Sequence, residues 1–421
     1  MTDHWRDGNS IELLINGEEF FPRVFDSIRH AKHEILLETF ILCEDKVGHE
    51  LQKVLIEAAQ RGVRIEVTVD DYGTADLSES FTQAMITAGV KLHVFDPTPR
   101  LLGIRVNLFR RLHRKLVVVD GKEAFVGGIN FSIDHVTSSG ENTKQDYAVL
   151  VRGPIVQDIR DSCLQLLERG RGRSRHTKAK ADTRWMPAIQ TAGDVRMLLA
   201  VRDNIWHTKD IERHYLRAIH GATKRLVIAN AYFFPGYRLL RALRRAARRG
   251  VKVTLILQGR PDMPWVSACS RLLYGYLLRE KVVIYEYCQR PLHGKVALAD
   301  DKWVTVGSSN LDPLSLALNL EANLVIEDKE FNQKLFTHLQ SLAKSHCKPI
   351  NVKVAEHGYW WRLPLIFLSF HFLRIFPTIA GWLPAHTPDI QLLKPAEAEQ
   401  IVETKTKTAQ KKKTRQVEKI S

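Results

Sequence analysis

The chain has 421 residues, 44% of them apolar, enough for two domains or two fused halves with an ordinary globular core. Lysine and arginine number 62 against 47 aspartates and glutamates. The resulting +15 charge favours anionic partners, nucleic acid or acidic lipid, without choosing between them. Five scattered cysteines (Cys43, Cys163, Cys269, Cys288 and Cys347) show no Cys-x-x-Cys spacing, which argues against a disulfide framework or a zinc site and fits a reducing compartment.

The opening residues, Met1-Thr2-Asp3-His4-Trp5-Arg6-Asp7, are charged and read as neither a signal peptide nor a membrane anchor. Phe20, Phe21, Val24, Phe25 and Ile28 fall at helical spacing and predict a helix over 17–31. A strand follows over 34–42, then a helix over 47–60 that stops at Arg61-Gly62, glycine being a common stop just past the last helical residue. Residues 63–69 alternate as a strand, another helix ends near Ala88-Gly89, and 90–95 is a strand. This succession predicts an α/β fold, a sheet covered by helices. Leu112-His113-Arg114-Lys115 comes next, an apolar strand runs to Asp120, and Gly127-Gly128-Ile129-Asn130 follows. Asp146 opens a strand that ends at Pro154, where a helix starts. The basic stretch 169–184 reads as a linker.

The second half repeats the first. Residues 224–234 echo 34–42, and 239–256 echo 47–69. Arg249-Gly250-Val251 follows Arg61-Gly62-Val63 at nearly the same interval as His293 follows His113. So constant an offset implies an internal duplication whose period is a whole domain, not a solenoid. The second motif reads Leu292-His293-Gly294-Lys295, then Asp300, then Gly307-Ser308-Ser309-Asn310. The interval from His293 to Asn310 equals that from His113 to Asn130. Glu321 opens the strand corresponding to that of Asp146, but it stands closer in sequence to its histidine than Asp146 does. Glu141 stands after His113 at the interval that Glu321 keeps from His293, and it is the rival; Asp146 is preferred because it alone opens a strand. Ser308 has only Gly128 as its counterpart, so the two copies are not identical.

Histidine and lysine two apart on a strand point to one face. An imidazole, an ammonium and a turn rich in donors suit an anionic phosphoryl group. A phosphodiester needs a nucleophile, an acid for the leaving alkoxide and positive charge on the non-bridging oxygens. Two histidines can divide the first two tasks, one carrying a covalent phosphohistidine and the other moving the proton. Lys115, Lys295, Asn130 and Asn310 would hold the oxygens, and Asp146 and Glu321 would orient the imidazoles. Asp120 and Asp300 complete the motifs and are expected to brace the site from behind. No dense carboxylate cluster accompanies the motifs, so neither a metal nor another cofactor is expected.

The repeated His-x-Lys-x4-Asp pair resembles the phospholipase D superfamily, over roughly residues 8–345. Leu37-Glu38-Thr39-Phe40, the run 230–236 and the run 307–314 resemble the bacterial cardiolipin synthases within it. The resemblance implies two fused phospholipase D-like α/β halves, mixed sheets flanked by helices, related by a pseudo-twofold axis with one active site between them. It implies transfer of a phosphatidyl group from phosphatidylglycerol, through a phosphatidyl-histidine, to a hydroxyl of a second phospholipid. His113 would attack and His293 would act as acid, then base; the near-symmetry leaves the reverse open. Hydrolysis of a phospholipid or of nucleic acid is the alternative within the superfamily, and a non-catalytic membrane-binding protein the alternative outside it. Cardiolipin synthases with N-terminal transmembrane helices exist; no such helix is read here.

The expected division is a first half over 1–168, the linker over 169–194, a second half over 195–350, an apolar membrane-associating segment over 351–390 and a basic disordered tail over 391–421. Leu363 to Leu383 is interrupted by Pro364, His371, Arg374, Pro377 and Gly381 and flanked by Trp360, Trp361 and Trp382. That pattern suits a segment lying in a membrane interface, with a helical hairpin on the protein core as the plainer reading. Arg241, Arg244, Arg245, Arg248 and Arg249 share one helix and read as a solvated face rather than a lipid-docking one. The expected partners are anionic phospholipid, phosphatidylglycerol in particular, and the cytoplasmic face of a bacterial inner membrane, held peripherally; nucleic acid is not expected.

Overall fold

A computed structural model describes residues 3–97, 100–101, 104–105, 110–137, 140, 143–170, 189–260, 270–351, 364–365, 368, 371–372, 375 and 389–394. Most of the linker, Glu141, the three tryptophans at 360, 361 and 382 and the tail from 395 lie outside the described residues.

The first half contributes β1 (Arg6–Ile15), α1 (Asn16–His30), β2 (Glu34–Thr39), α2 (Lys46–Gln60), β3 (Arg64–Asp70), α3 (Glu79–Thr87), β4 (Lys91–Phe95), β5 (Leu116–Val119), β6 (Glu123–Gly127), β7 (Tyr147–Arg152) and α4 (Ile155–Gly170). The second contributes β8 (Val195–Arg202), α5 (Asp210–Gly221), β9 (Arg225–Asn230), α6 (Tyr237–Arg248), β10 (Lys252–Gln258), β11 (Val283–Tyr287), β12 (Lys295–Ala299), β13 (Trp303–Gly307), β14 (Glu321–Glu327) and α7 (Lys329–His346), followed by β15 (Cys347–Ile350) and β16 (Ile390–Leu392). These sixteen strands form one mixed sheet, in the order β15-β11-β10-β9-β12-β13-β14-β8-β1-β7-β6-β5-β2-β3-β4-β16, and Arg100–Leu101 with Ile104–Arg105 makes a separate small hairpin. Each strand of one half has its counterpart at the mirrored place in this order. The pseudo-twofold therefore passes between β1 and β8, which pair antiparallel through Arg6↔Met197 and Asn9↔Val195.

These two central strands escaped the sequence reading, and their alternation explains why. Along β1 only Asn9, Leu13 and Leu14 are fully buried, and along β8 buried and half-buried residues mix. Neither shows the continuous apolar run of β5 or β12, which are buried on both faces. A shared core holds the halves together. Leu36, Val118, Val149 and Ile159 of the first half cluster with Val227, Leu298, Val304, Leu324 and Leu335 of the second. With each fully buried large apolar side chain worth about 1.5–3 kcal/mol, this cluster makes the halves one folding unit.

The repeated Arg-Gly-Val has a structural cause. Gly62 and Gly250 take positive φ values of 86° and 92° past the ends of α2 and α6. Arg61 donates to the carbonyls of Ile28 and Ala31 after α1, and Arg249 donates to those of Ile219, His220 and Ala222 after α5. Each guanidinium closes the exposed carbonyl end of the preceding helix. On α6, Arg244 and Arg248 meet Glu280. Arg244, Arg248 and Arg249 are thus engaged by the protein itself.

The expected tail boundary at 390/391 needs correcting. Ile390–Leu392 pairs antiparallel with β4, and Ile390 and Leu393 are buried. A three-residue strand is too short for hydrophobic alternation to reveal it.

Candidate active site

The two motifs meet where β5 and β12 begin. Each histidine is seated by main chain of the other half. The His113 N–H donates to the Leu320 carbonyl at 2.9 Å, and the Leu320 N–H donates to the Arg111 carbonyl at 2.8 Å. Symmetrically, the His293 N–H donates to the Gln145 carbonyl, and the Gln145 N–H to the Pro291 carbonyl, both at 2.8 Å. Leu320 and Gln145 immediately precede Glu321 and Asp146. The bridges therefore deliver each carboxylate to the opposite half's histidine. His113 Nδ1 lies 3.0 Å from both Glu321 oxygens, and His293 Nδ1 lies 2.6 Å from Asp146 Oδ2. A carboxylate on Nδ1 places the proton there and leaves Nε2 toward the substrate.

The lysines are buried with them. Lys115 Nζ donates to the His113 carbonyl at 2.7 Å and lies 5.2 Å from the Phe40 ring centroid; Lys295 Nζ donates to the His293 carbonyl. Burial pushes Lys115 down to about 7, with Glu321 and Asp146 opposing and Lys295 adding to the fall. Burial and the two lysines hold His113 well below the usual imidazole range; burial, Lys295, Lys144, Lys115 and His113 do the same for His293. Burial pushes Glu321 up to about 8 against the pull of Lys115, Ser308, Lys295 and Ser315, and raises Asp146 too. Each group thus feels charges from both halves, so the two motifs make one site. An anionic phosphodiester entering here would restore the cationic forms.

Ser308 and Gly128 divide the halves chemically. The Ser308 hydroxyl donates to Glu321 Oε2 at 2.5 Å. At Gly128 a Cβ would collide with Asp146 Oδ1, so the aspartate occupies the space a serine would take. A second exchange lies beside it. The Tyr147 ring occupies the space where Gly294 would carry a side chain, while Arg114, at the corresponding place in the first motif, pairs with Glu38.

Asn130 and Asn310 are buried. The Asn130 amide oxygen accepts the Ile41 N–H at 3.2 Å, which leaves its NH2 as the donating end. Asp120 and Asp300 are the correction. They lie beyond the far ends of β5 and β12, roughly 20 Å of extended chain from the histidines. Asp120 accepts the N–H groups of Lys32, His33 and Glu34, and Asp300 those of Thr223, Lys224 and Arg225, at 2.7–3.0 Å. Both have positive φ, 51° and 47°. Their role is to clamp the entry to β2 and β9, and they touch nothing at the site.

Sequence reasoning missed His135. It is fully buried and packs edge-on against His293, with ring centroids 5.6 Å apart. It follows His113 at the same interval as Ser315 follows His293, so that shared offset was the available signal. Among the described residues, one trio of ligand-type groups gathers within 4.8 Å: His135, Asp146 and His293. The 2.6 Å contact between His293 and Asp146 is already a proton-bearing hydrogen bond, and His135 packs beside that pair without joining it.

Comparison with known proteins agrees with this geometry. Residues 24–162 and 215–343 each match the family described as "Cardiolipin synthase, PLD-like domain". The chain is 52% identical to cardiolipin synthase B of Salmonella typhi over 400 residues, 94% of this chain and 95% of that one. It is 51% identical to cardiolipin synthase B of Escherichia coli K12 over 402 residues, with the same coverage. Cardiolipin synthase 2 of Bacillus anthracis is 33% identical over 84% of this chain and 70% of its own. Among solved structures, phosphatidylserine synthase of Haemophilus influenzae superposes with a TM-score of 0.63 at 16% identity, over 89% of this chain and 95% of that one, a likeness of fold. Two fused phospholipase D-like halves, with one histidine pair between them, place the chain: it belongs to the cardiolipin synthase family of phospholipase D-like proteins.

Proposed function

We propose that this chain is a phosphatidyltransferase that makes cardiolipin from phosphatidylglycerol and a second phospholipid at a membrane surface. The observation that carries the reading is the pair of buried histidines, each oriented by the other half's carboxylate and flanked by two buried lysines. The lysines, with the NH2 groups of Asn130 and Asn310, hold the non-bridging oxygens of phosphatidylglycerol. His113 Nε2 attacks phosphorus while His293 Nε2–H protonates the departing glycerol oxygen. This leaves a phosphatidyl group on His113 and a neutral His293. The hydroxyl of the second lipid then attacks phosphorus, His293 Nε2 takes its proton, and the bond to His113 breaks. Glycerol and cardiolipin are the products when the acceptor is phosphatidylglycerol.

The membrane surface is supported by two observations. The chain carries a +15 charge. Leu365, Leu368, Phe372 and Ile375 fall at helical spacing and are 46–64% exposed. Such a stripe suits insertion among lipid headgroups, and we place it on the cytoplasmic leaflet, with 169–194 linking the halves.

The test is incubation of the purified protein with labelled phosphatidylglycerol, with and without phosphatidylethanolamine, and identification of products by mass spectrometry. Cardiolipin is expected, and His113→Ala and His293→Ala are expected to abolish it. Phosphatidic acid as the sole product would replace transfer by hydrolysis, and no lipid product would overturn the reading.

A further inference from the structure

His135 sits on the short 3-10 turn Ile133–His135, between two parts of the site. Its Nε2 accepts the N–H of Asn130 at 3.3 Å. A ring nitrogen that accepts carries no proton, so the neutral ring has its proton on Nδ1. That Nδ1 has no hydrogen-bond partner and lies 3.8 Å from Asp146 Oδ2, too far for a hydrogen bond. The same oxygen already receives His293 Nδ1–H at 2.6 Å. A fully buried donor stands unpaired beside a carboxylate that another imidazole occupies. Buried unpaired polar atoms are uncommon in folded proteins and call for a reason.

The other half solves the same problem differently. At the corresponding position Ser315 bonds Glu321, and Ser308 donates to it as well. Hydroxyls hold a carboxylate without gaining or losing protons near neutral pH. An imidazole does not share that indifference. The carboxylate behind His113 therefore has fixed donors, and the one behind His293 has a titratable one.

We propose that His135 is a positioning residue for His293, the alternate donor to Asp146 that engages it when His293 is neutral and withdraws when His293 carries charge. The proposal rests on the transferase reading above, in which His293 changes charge twice per turnover. With His293 as imidazolium, its Nδ1–H neutralises Asp146. Once His293 has given its Nε2 proton to the leaving group, the aspartate charge is less well compensated. A shift of about 1 Å then brings His135 Nδ1–H into hydrogen-bond range. This lowers the advantage of reprotonating His293 early and keeps it basic until the acceptor hydroxyl arrives. The groups that bear on His135 are Asp146, His293, Lys144 and Lys295; burial, the largest influence, keeps it neutral near pH 7. The arrangement also makes the two halves unequal around their carboxylates.

Two substitutions separate this role from mere packing. In His135→Asn the amide NH2 stands near the place of Nδ1 and can still donate to Asp146. In His135→Gln the amide oxygen stands near the place of Nε2 and can still accept from Asn130, but no donor faces Asp146. His293 titration is followed by 15N NMR in the resting enzyme, and kcat and KM for phosphatidylglycerol are measured across pH. His135→Gln should raise the His293 titration by half a pH unit or more. It should also lower kcat about tenfold at neutral pH, with KM within twofold of wild type. His135→Asn should restore most of both. Equal titration of His293 in the two variants and the wild type would overturn the proposal, as would equal loss of kcat in both. The NMR arm needs no turnover, so an enzyme without transferase activity would count against the functional reading alone.

Discussion

Cross-pairing of the site is open to a direct challenge through Glu321→Gln. The substitution keeps size and a hydrogen-bond acceptor but removes the carboxyl, 3.0 Å from His113 Nδ1, that can ionise to balance the ring once it turns cationic. As His113 attacks phosphorus its ring gains positive character, with Nδ1–H against the carboxylate. Unit charges about 4 Å apart at an effective dielectric near 20 interact by about 4 kcal/mol. Relaxation of the site and the remaining hydrogen bond discount this to roughly 3 kcal/mol, about a hundredfold in rate. Turnover of labelled phosphatidylglycerol should therefore fall about 10²-fold or more, with little change in folded stability. The decisive measurement is which imidazole feels the change. With 15N-histidine labelling, the Nδ1 resonance of His113, which lies in the opposite half from Glu321, should shift, while that of His293 stays. Asp146→Asn should do the reverse. If Glu321→Gln moved His293 and spared His113, the cross-paired arrangement, and the mechanism built on it, would be refuted.

Other consequences are equally concrete. Gly128→Ser forces a side chain into Asp146 Oδ1 and should cost at least a hundredfold in kcat, whereas Ser308→Gly, which removes the hydroxyl that donates to Glu321 and accepts the Ala322 N–H, should cost about tenfold; steady-state kinetics of the pair test the asymmetry. Asp120→Ala removes an acceptor of three backbone N–H groups and should lower stability by about 3 kcal/mol in urea unfolding, with turnover per folded molecule within threefold of wild type; a thousandfold loss would return Asp120 to the site. His135, depressed by burial, contributes a pH-dependent penalty. The unfolded chain takes a proton near 6.5 that the folded one refuses, so its contribution is harmless above 6.5 and destabilising as pH falls below it. Relative to wild type, His135→Gln should therefore gain about 1.4 kcal/mol per pH unit below 6.5, checked by urea midpoints at pH 7 and 5.5. Leu365→Glu with Leu368→Glu should weaken sedimentation with phosphatidylglycerol vesicles about tenfold, and unchanged binding would remove this stripe from the membrane contact.

The duplicated motifs were legible because chemistry and spacing coincide. Histidine, lysine and asparagine recur at one offset in both halves, and the apolar runs of β5 and β12 advertise strands buried on both faces. Asp146 was recoverable because it opens a strand, although its offset differs from that of Glu321. The partner of each carboxylate was not legible. Pairing depends on the bridges Leu112–Leu320 and Gln145–Leu292, which join residues of opposite halves and leave no mark in local pattern. The aspartates of the two motifs misled for the opposite reason. Their regular spacing reflects strand length, and what recurs at the end of β5 and β12 is a clamp on neighbouring backbone. His135 was hidden because its counterpart is a serine; a repeat search rewards identity, and here the informative fact was a difference.

The C-terminal chain closes both outer borders of the sheet, Cys347–Ile350 against β11 and Ile390–Leu392 against β4. An open border of this kind is a template for adding strands from another molecule. Because β16 lies beyond the apolar segment, the first half cannot cover its border until the ribosome has made residue 392. Completion of the sheet and possession of the apolar segment are thus a single event in biosynthesis. A chain cut short before residue 390 would keep every residue of the active site, yet it would present an uncovered β4 and be marked for aggregation or degradation.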